Sequence, residues 1–346
     1  MLDLIISKME SAIKLMMEYP SETVQIFHHN DTDGISSGAI LKKTFERLEY
    51  KYSLFSLEKP YPQLLDKIFQ CENNIIIFAD FAGKIAPLIA KKNNKKNLVI
   101  ILDHHPAVKS GDDSVINLDP DLFGIRGDRD ISASATCYLF SKVMDPGNID
   151  LSNLGILGAI GDGFYINGKL SGFNNDALKD ALEMNLAEIQ KNNGEEKYNI
   201  IINNEKYPGD DLAELLDTLG GVGYYENGPS LGVDFCLGYS SFNEIQQTYE
   251  EYKKTRKSVF DDEINRLKSG GLNCEKHIQW LDVKNRFRPM GIKMIGVFCN
   301  SIKNMDFLDP KKYLAGFQIV PGEIKKKKKI DFKQTKISMR VSNYIK

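Results

Sequence analysis

Residues 75–80 read IIIFAD and residues 98–105 read LVIILDHH, two wholly apolar runs rich in β-branched residues that each stop on an aspartate. A run of this kind has no polar face, so it suits a strand covered on both sides, as in a parallel sheet beneath helices. A carboxylate at the end of such a strand needs a partner, and in open α/β sheets ligands bind beyond the carboxyl ends of the strands. Working outward from these two runs, residues 23–27, 52–57, 74–79, 98–102 and 115–117 read as five strands, with helical patterns at 36–48, 61–69 and 84–92 between them. The pattern predicts an α/β domain, a parallel sheet with helices on both faces, followed by a helical stretch covering 132–144, 151–160 and 211–219.

A chain of 346 residues exceeds one small core. The expected division is residues 1–241 with a helical insertion after Asp162, a connector helix over 242–268, and a smaller α/β domain over 269–346. The connector is read from the stripe Ile245, Tyr249, Tyr252, Val259, Ile264 and Leu267. The last part holds β-like runs at 278–283, 294–299, 313–320 and 335–340. Residues 1–19 form an amphipathic helical pattern, interrupted by Asp3, Lys8, Glu10 and Lys14 too early for a signal core or a membrane span. Membrane partners are therefore not expected.

The five cysteines are scattered, with no CxxC pair, which excludes a disulfide framework and a thiolate zinc site and points to a cytoplasmic protein. The net charge of −2 hides an asymmetry: residues 284–346 carry a balance of +12, leaving −14 for everything before. An acidic front can hold cations and a basic rear can hold phosphates. The lysine run 325–329, taken alone, reads as a solvated tail.

Four of the five histidines sit in HHNDTDG (28–34) and DHH (103–105). His29, Asp31 and Asp33 alternate, so on an extended strand end their side chains would fall on one side and converge on a cation. Asp80, the Asp103–His104–His105 run and Asp162, in GAIGDG, complete the set. Carboxylates and imidazoles without thiolates favour a divalent ion such as Mn²⁺, with Mg²⁺ or Co²⁺ as substitutes. Two such ions, about 3.5–4 Å apart, need a bridging carboxylate.

HNDTDGISS at 29–37, the lone Asp80, DHH at 103–105 and GAIGD at 158–162 resemble, in order and spacing, the four motifs of the DHH phosphoesterase superfamily. The resemblance implies two Mn²⁺ ions, one on His29, Asp31 and Asp80, the other on Asp33, Asp80, His104 and Asp162, with Asp80 as the bridge. It implies His105 facing the scissile phosphate and Asp103 orienting the imidazoles; His28 lies outside the motif and reads as structural. Gly34, Ser36 and Ser37 are read as opening the first helix, where free N–H groups receive an anion, and Ser132 and Ser134 as helix caps.

The rear domain is similar to the DHHA1 substrate-binding domain through MIGVFCNSI (294–302) and KISMR (336–340). In that family a GGGH-type loop follows the second stretch; this chain reaches Lys346 without it, so either the domain is shortened or the match over this domain is shifted, and substrate grip by that loop is not expected. Ser338, Arg340, Arg286 and Arg288 are the candidate substrate contacts, with Tyr224, Tyr225 and Phe287 as candidate base-stacking aromatics. The HNDTDG form, together with the insertion after Asp162, is most similar to archaeal RecJ-like nucleases such as the Hef-associated nuclease. Pyrophosphatases of the superfamily carry HxNPDxD, and Phe27 stands where their first His would. The implied activity is exonucleolytic hydrolysis of single-stranded DNA or RNA, leaning 3′→5′. The alternatives are an oligoribonucleotide or cyclic-dinucleotide phosphodiesterase and, from another class, an inactive binding module in a replication or repair complex.

Overall fold

The computed structural model describes residues 1–21, 23–192, 194–321, 323–324, 328–329, 332 and 334–342. Residues 325–327 of the lysine run lie outside the described residues. The chain divides into two compact units, Met1–Asp217 with Pro229–Ile245, and Thr218–Gly228 with Gln246–Lys346. No helix among the described residues is long and apolar enough to cross a membrane.

The first unit opens with α1 (Leu2–Glu18) and then alternates strands and helices: β1 (Thr23–His28), α2 (Thr32–Arg47), β2 (Lys51–Ser56), α3 (Pro62–Ile68), β3 (Ile75–Ala79), α4 (Ala86–Asn93), β4 (Leu98–Leu102) and β5 (Val115–Asn117). All five strands run parallel in the order β2-β1-β3-β4-β5. Every residue of β3 and β4 is buried, as their unbroken apolar sequences require. The step from β1 to β2 and the steps from β3 to β5 run in opposite directions across the sheet. Right-handed crossovers then put α2 and α4 on opposite faces and make the boundary between β1 and β3 the switch point, where such sheets bind ligands. Register fixes the level of the strand ends: His28 pairs with Ala79 and Ala79 with Leu102. Residues 29, 80 and 103 therefore leave the sheet side by side, on strands about 4.8 Å apart.

The helices α5 (Ala133–Met144), α6 (Ser152–Gly161) and α7 (Asn174–Glu183) follow, and α2, α5 and α6 pack on one another. A short hairpin, β6 (Tyr165–Ile166) and β7 (Lys169–Leu170), separates α6 from α7. The expectation of helices throughout this region is corrected by β8 (Ala187–Asn192), β9 (Glu195–Ile202) and β10 (Glu205–Pro208), an antiparallel three-stranded sheet. Its strands are rich in Glu, Lys and Asn because much of the sheet is solvated, with Tyr198, Asn199, Ile200 and Ile202 as the buried residues of β9. The helices α8 (Gly209–Gly221), α9 (Gly228–Cys236) and α10 (Phe242–Arg266) complete the series before the rear sheet.

The second unit has a mixed sheet in the order β11-β12-β13-β16, from β11 (Asn273–Cys274), β12 (Ile278–Lys284), β13 (Tyr313–Ile319) and β16 (Thr335–Arg340), with β14 (Glu323–Ile324) and β15 (Lys328–Lys329) paired separately. Residues 294–299, expected as a strand, belong to α11 (Met294–Ile302). A continuous apolar run fits either state, and here Ile295, Phe298, Cys299 and Ile302 recur at helical spacing into the core. Phe287 is a second correction: it is fully buried in that core, against Phe260 and Phe298, so no base can stack on it.

Candidate metal centre

The chain from β1 into α2 makes the first part of the site. The helix starts at Thr32, four residues before the expected point, because Asp31 caps it by accepting a hydrogen bond from Gly34 N at 3.2 Å. Ser36 and Ser37 are therefore buried inside α2 and do not form an anion-receiving helix start. His29, Asp31 and Asp33 converge through this strand-to-helix turn and not, as expected, through strand alternation. Asp33 is fully buried, and its two oxygens accept from Ala133 N and Ser134 N, each at 2.8 Å, in the first turn of α5. Free N–H groups at that helix start favour a negative charge. Ser132 caps α5 through Ala135 N; Ser134, expected as a second cap, instead donates its hydroxyl to Gly155 O at 2.9 Å.

Asp80 ends β3 with its backbone in the left-handed region (φ 66°), a costly conformation for a residue with a side chain. Its Oδ2 lies 3.4 Å from His29 Nδ1, and its Oδ1 lies 3.4 Å from His104 Nε2. Asp80 Oδ2 and His104 Nε2 are buried without a hydrogen bond among the described residues. His104 Nδ1 is 2.7 Å from Gly127 O, an acceptor, so Nδ1 carries the proton and Nε2 is turned toward Asp33, Asp80 and Asp162, at 3.8, 3.4 and 3.4 Å. His29 Nδ1 also lies 2.8 Å from Asp31 Oδ2. His28 points away from this cluster in role, donating from Nδ1 to His29 O at 2.7 Å.

Asp103 is buried and saturated: Oδ1 faces His104 N, His105 N and His105 Nδ1 at 2.8, 3.3 and 2.8 Å, and Oδ2 accepts from Gly83 N at 2.8 Å. His105 keeps 56% of its side chain exposed. Asp162 caps the C-terminus of α6 and is partly exposed.

Charge is crowded here. Burial, with Asp80 next to it, pushes the Asp33 carboxyl up to about 6, and burial with Asp33 and Asp80 pushes Asp162 up to about 9. Burial alone would lower the His29 imidazole, but the facing Asp31 and Asp80 carboxylates take it to about 10. The same contest raises His104; burial would raise Asp103, but its hydrogen bonds to His105 and Gly83 and the charges of His105 and His104 together hold it below the usual carboxylate range. Carboxylates that must take up protons to coexist are the ones a divalent cation would relieve. Among the described residues, three groups of donor atoms lie close enough to hold an ion: His29, Asp31 and Asp80; Asp33, His104 and Asp162; and Asp80, His104 and His105. The sequence pointed to every one of these residues. It did not reveal the α5 amides on Asp33, which lie a hundred residues away, or the buried Asp119 beside Asp103, whose LDPD context reads as an ordinary turn.

Gly158 in α6 exists for Asp33: a methyl group there would sit 2.2 Å from Asp33 Oδ1 and 2.1 Å from Ser134 Oγ. Gly158→Ala is expected to cost about 1–3 kcal/mol by overpacking, read as a lower urea midpoint, with divalent-ion affinity falling alongside; an unchanged midpoint and affinity would show that the cradle yields freely.

The candidate substrate residues lie in the second unit. Arg286 is engaged by the buried Glu263, Nε to Oε2 at 2.9 Å, and Arg266 shares the same carboxylate. Arg288 is exposed, Ser338 is buried, and Arg340 donates from Nη1 to Met339 O at 2.8 Å. Ser338 and Arg340 both lie close to Gly296 of α11. Tyr224 and Tyr225 are half-buried and pack edge to face.

Residues 23–158 match the family model of the DHH family, N-terminal domain. An uncharacterized protein of Methanocaldococcus jannaschii is 35% identical over 192 residues, which take in 53% of this chain and 42% of that relative, so the chain spans less than half the relative's length. Among solved structures, a manganese-bound exonuclease RecJ superposes with a TM-score of 0.62 at 12% identity, over 90% of this chain and 80% of that one. RecJ from Thermus thermophilus with Mn²⁺ gives 0.59 at 14%, over 91% and 46%, and CDC45 from Entamoeba histolytica gives 0.60 at 11%, over 92% and 84%. These likenesses establish the fold, and over residues 23–158 the chain is similar to the DHH family, N-terminal domain, with Asp and His residues gathered at the ends of three neighbouring strands.

Proposed function

We propose that this chain is a two-metal phosphoesterase that hydrolyses single-stranded DNA or RNA from an end, with Mn²⁺ as its preferred ion. The observation that carries the reading is Asp80, whose two oxygens face two different donor groups, Oδ2 toward His29 and Oδ1 toward His104. His29, Asp31 and Asp80 would hold one ion; Asp33, Asp80, His104 and Asp162 would hold the other. The buried, unsatisfied Asp80 Oδ2 and His104 Nε2 fit that assignment, as does a donor set of oxygens and imidazole nitrogens. Bound divalent ions supply Lewis-acid charge for phosphoryl oxygens and lower the pKa of water.

The chain's own residues do the rest. Gly127 O and Asp103 fix the two imidazoles of the DHH motif, so that His104 presents Nε2 to the donor groups. His105, exposed and held at Nδ1, is placed to hold a proton at Nε2 against a scissile phosphate oxygen. Arg288 and Arg340, with the positive balance of residues 284–346, are the proposed phosphate contacts. The likeness to RecJ supports a nuclease and a 3′→5′ lean comes from the archaeal resemblance; an inactive binding module, the alternative from another class, would not need an intact donor set.

The test is digestion of single strands labelled at the 5′ or the 3′ end, beside a circular strand, a blunt duplex and di- to tetranucleotides, with Mn²⁺ or chelator. Mononucleotides from the linear strand alone, and none with chelator, are expected. Cleavage of the circle would overturn the exonuclease, a preference for the shortest substrates would move the reading to oligonucleotide trimming, and no hydrolysis of any phosphodiester by Mn²⁺-loaded protein would overturn the phosphoesterase.

A further inference from the structure

Thr32 stands between the proposed ligands Asp31 and Asp33 and is fully buried. It is the first residue of α2, so its amide has no acceptor within the helix. That amide donates instead to Asp217 Oδ1 at 3.0 Å, across 185 positions of sequence. Ala213 and Asp217 are one turn apart on α8 and therefore share a face of that helix. The Thr32 hydroxyl is in reach of both, 2.8 Å from Ala213 O and 3.2 Å from Asp217 Oδ1. Gly161, the last residue of α6 and the neighbour of Asp162, packs on the same side chain: a methyl group there would lie 2.5 Å from Thr32 Cβ and 2.7 Å from its Cγ2. All of these residues belong to the first compact unit, and Asp217 lies beyond the residues 23–158 that match the family model.

A residue gripped in this way holds its neighbours too, because planar peptides join Asp31, Thr32 and Asp33. In the proposed assignment Asp31 and Asp33 go to different ions, so a small rotation of this helix start would misplace ligands of both at once. A carboxylate is also the group that the positive end of a helix favours. We infer that Asp217 is a positioning residue for the metal centre: by accepting from Thr32 N it locks the first turn of α2, and with it the placement of Asp31 and Asp33. The role asks for no proton transfer and no contact with an ion.

The inference rests on the two-metal reading of the site. The test compares Asp217→Asn, which keeps an acceptor oxygen, with Asp217→Ala, which removes it, in the full chain. Leu212→Ala, which deletes a buried side chain of the same helix and leaves Asp217 in place, is the control for a general loosening of α8. Titration calorimetry reads Mn²⁺ binding, and amide hydrogen exchange in metal-free protein reads the Thr32 N–H. Groups behind the ligands of metal sites are typically worth about 10–100-fold. Asp217→Ala is expected at the lower end, with Mn²⁺ binding about 10-fold weaker, kcat on bis(p-nitrophenyl) phosphate reduced at unchanged KM, and faster exchange at Thr32 while the β3 amides hold steady. Asp217→Asn should stay near wild type in every readout. Undiminished Mn²⁺ affinity in Asp217→Ala, an Asn variant as impaired as the Ala variant, or an equal loss of affinity in Leu212→Ala would each overturn the inference. A wild type that binds Mn²⁺ but hydrolyses no phosphodiester, with the binding and exchange effects of Asp217→Ala intact, would count against the phosphoesterase reading and leave the positioning role standing; a wild type that binds no Mn²⁺ would overturn both.

Discussion

Asp80→Asn is expected to lower Mn²⁺-dependent phosphodiester hydrolysis by at least ~10³-fold, because it alters the one carboxylate whose oxygens face both donor groups, where partners behind ligands are already worth about 10–100-fold. Asn is the informative replacement. It preserves the volume of Asp80 and is among the few residues that tolerate the left-handed backbone there, so the fold is retained. Removing one anion spares Asp33 and Asp162 a repulsive neighbour and takes an attractive one from His29 and His104, so the metal-free melting temperature should change little. The rise in melting temperature that Mn²⁺ gives the wild type should largely vanish. Titration calorimetry would accompany the rates, and full turnover with undiminished Mn²⁺ binding would remove Asp80 from its bridging place.

The second large effect concerns pH. Asp33 and Asp162 have folded pKa values near 6 and 9, above the ordinary carboxylate value, and His29 lies near 10, above its own. For each, the folded state binds the proton more tightly than the unfolded state, so the stability it contributes is present at low pH and lost as pH rises through the folded value. Across pH 6 to 9 these contributions share one sign, and metal-free protein should melt at progressively lower temperature. A divalent ion needs the same groups deprotonated, so the stabilisation by Mn²⁺ should grow over that interval. Scanning fluorimetry at fixed ionic strength, with chelator or with excess Mn²⁺, measures both slopes. A chelator-treated protein that grows more stable from pH 6 to 9 would contradict the crowding.

Much of the centre was legible because it lies where two patterns meet. IIIFA and LVIIL have no reading but buried strands or buried helix, and the charged residues following them had to face something other than water. The same reasoning failed on MIGVFCNSI, where an apolar run of similar length is a helix, since burial on all sides erases the period that distinguishes the two. β8 to β10 were missed for the opposite reason: a half-solvated sheet built with Lys, Glu and Asn carries too few apolar positions to show alternation. Asp33 was found as a cluster member, but its anchoring by Ala133 N and Ser134 N depends on tertiary contact that no local pattern records. Arg286 reads as a surface cation and is exposed, but its pairing with the buried Glu263 depends on tertiary contact that no local pattern records.

The register that levels the ends of β1, β3 and β4 also dictates a sequence of events in the life of the chain. The donors span positions 29 to 162 and meet only when non-neighbouring strands have paired and α6 has docked beside α2. Until then the carboxylates are strung out in solvent with no shared geometry, and no ion can act as a nucleus for the sheet. Parallel pairing of this kind is slow, because the loops must close before any contact rewards them. The chain must therefore complete its sheet against the mutual repulsion of its own acids, on the strength of the apolar strands alone, and any cation arrives as cargo for a finished mould. On the proposed metal-holding role, a divalent ion would enter a site already formed, and its removal would leave the fold in place.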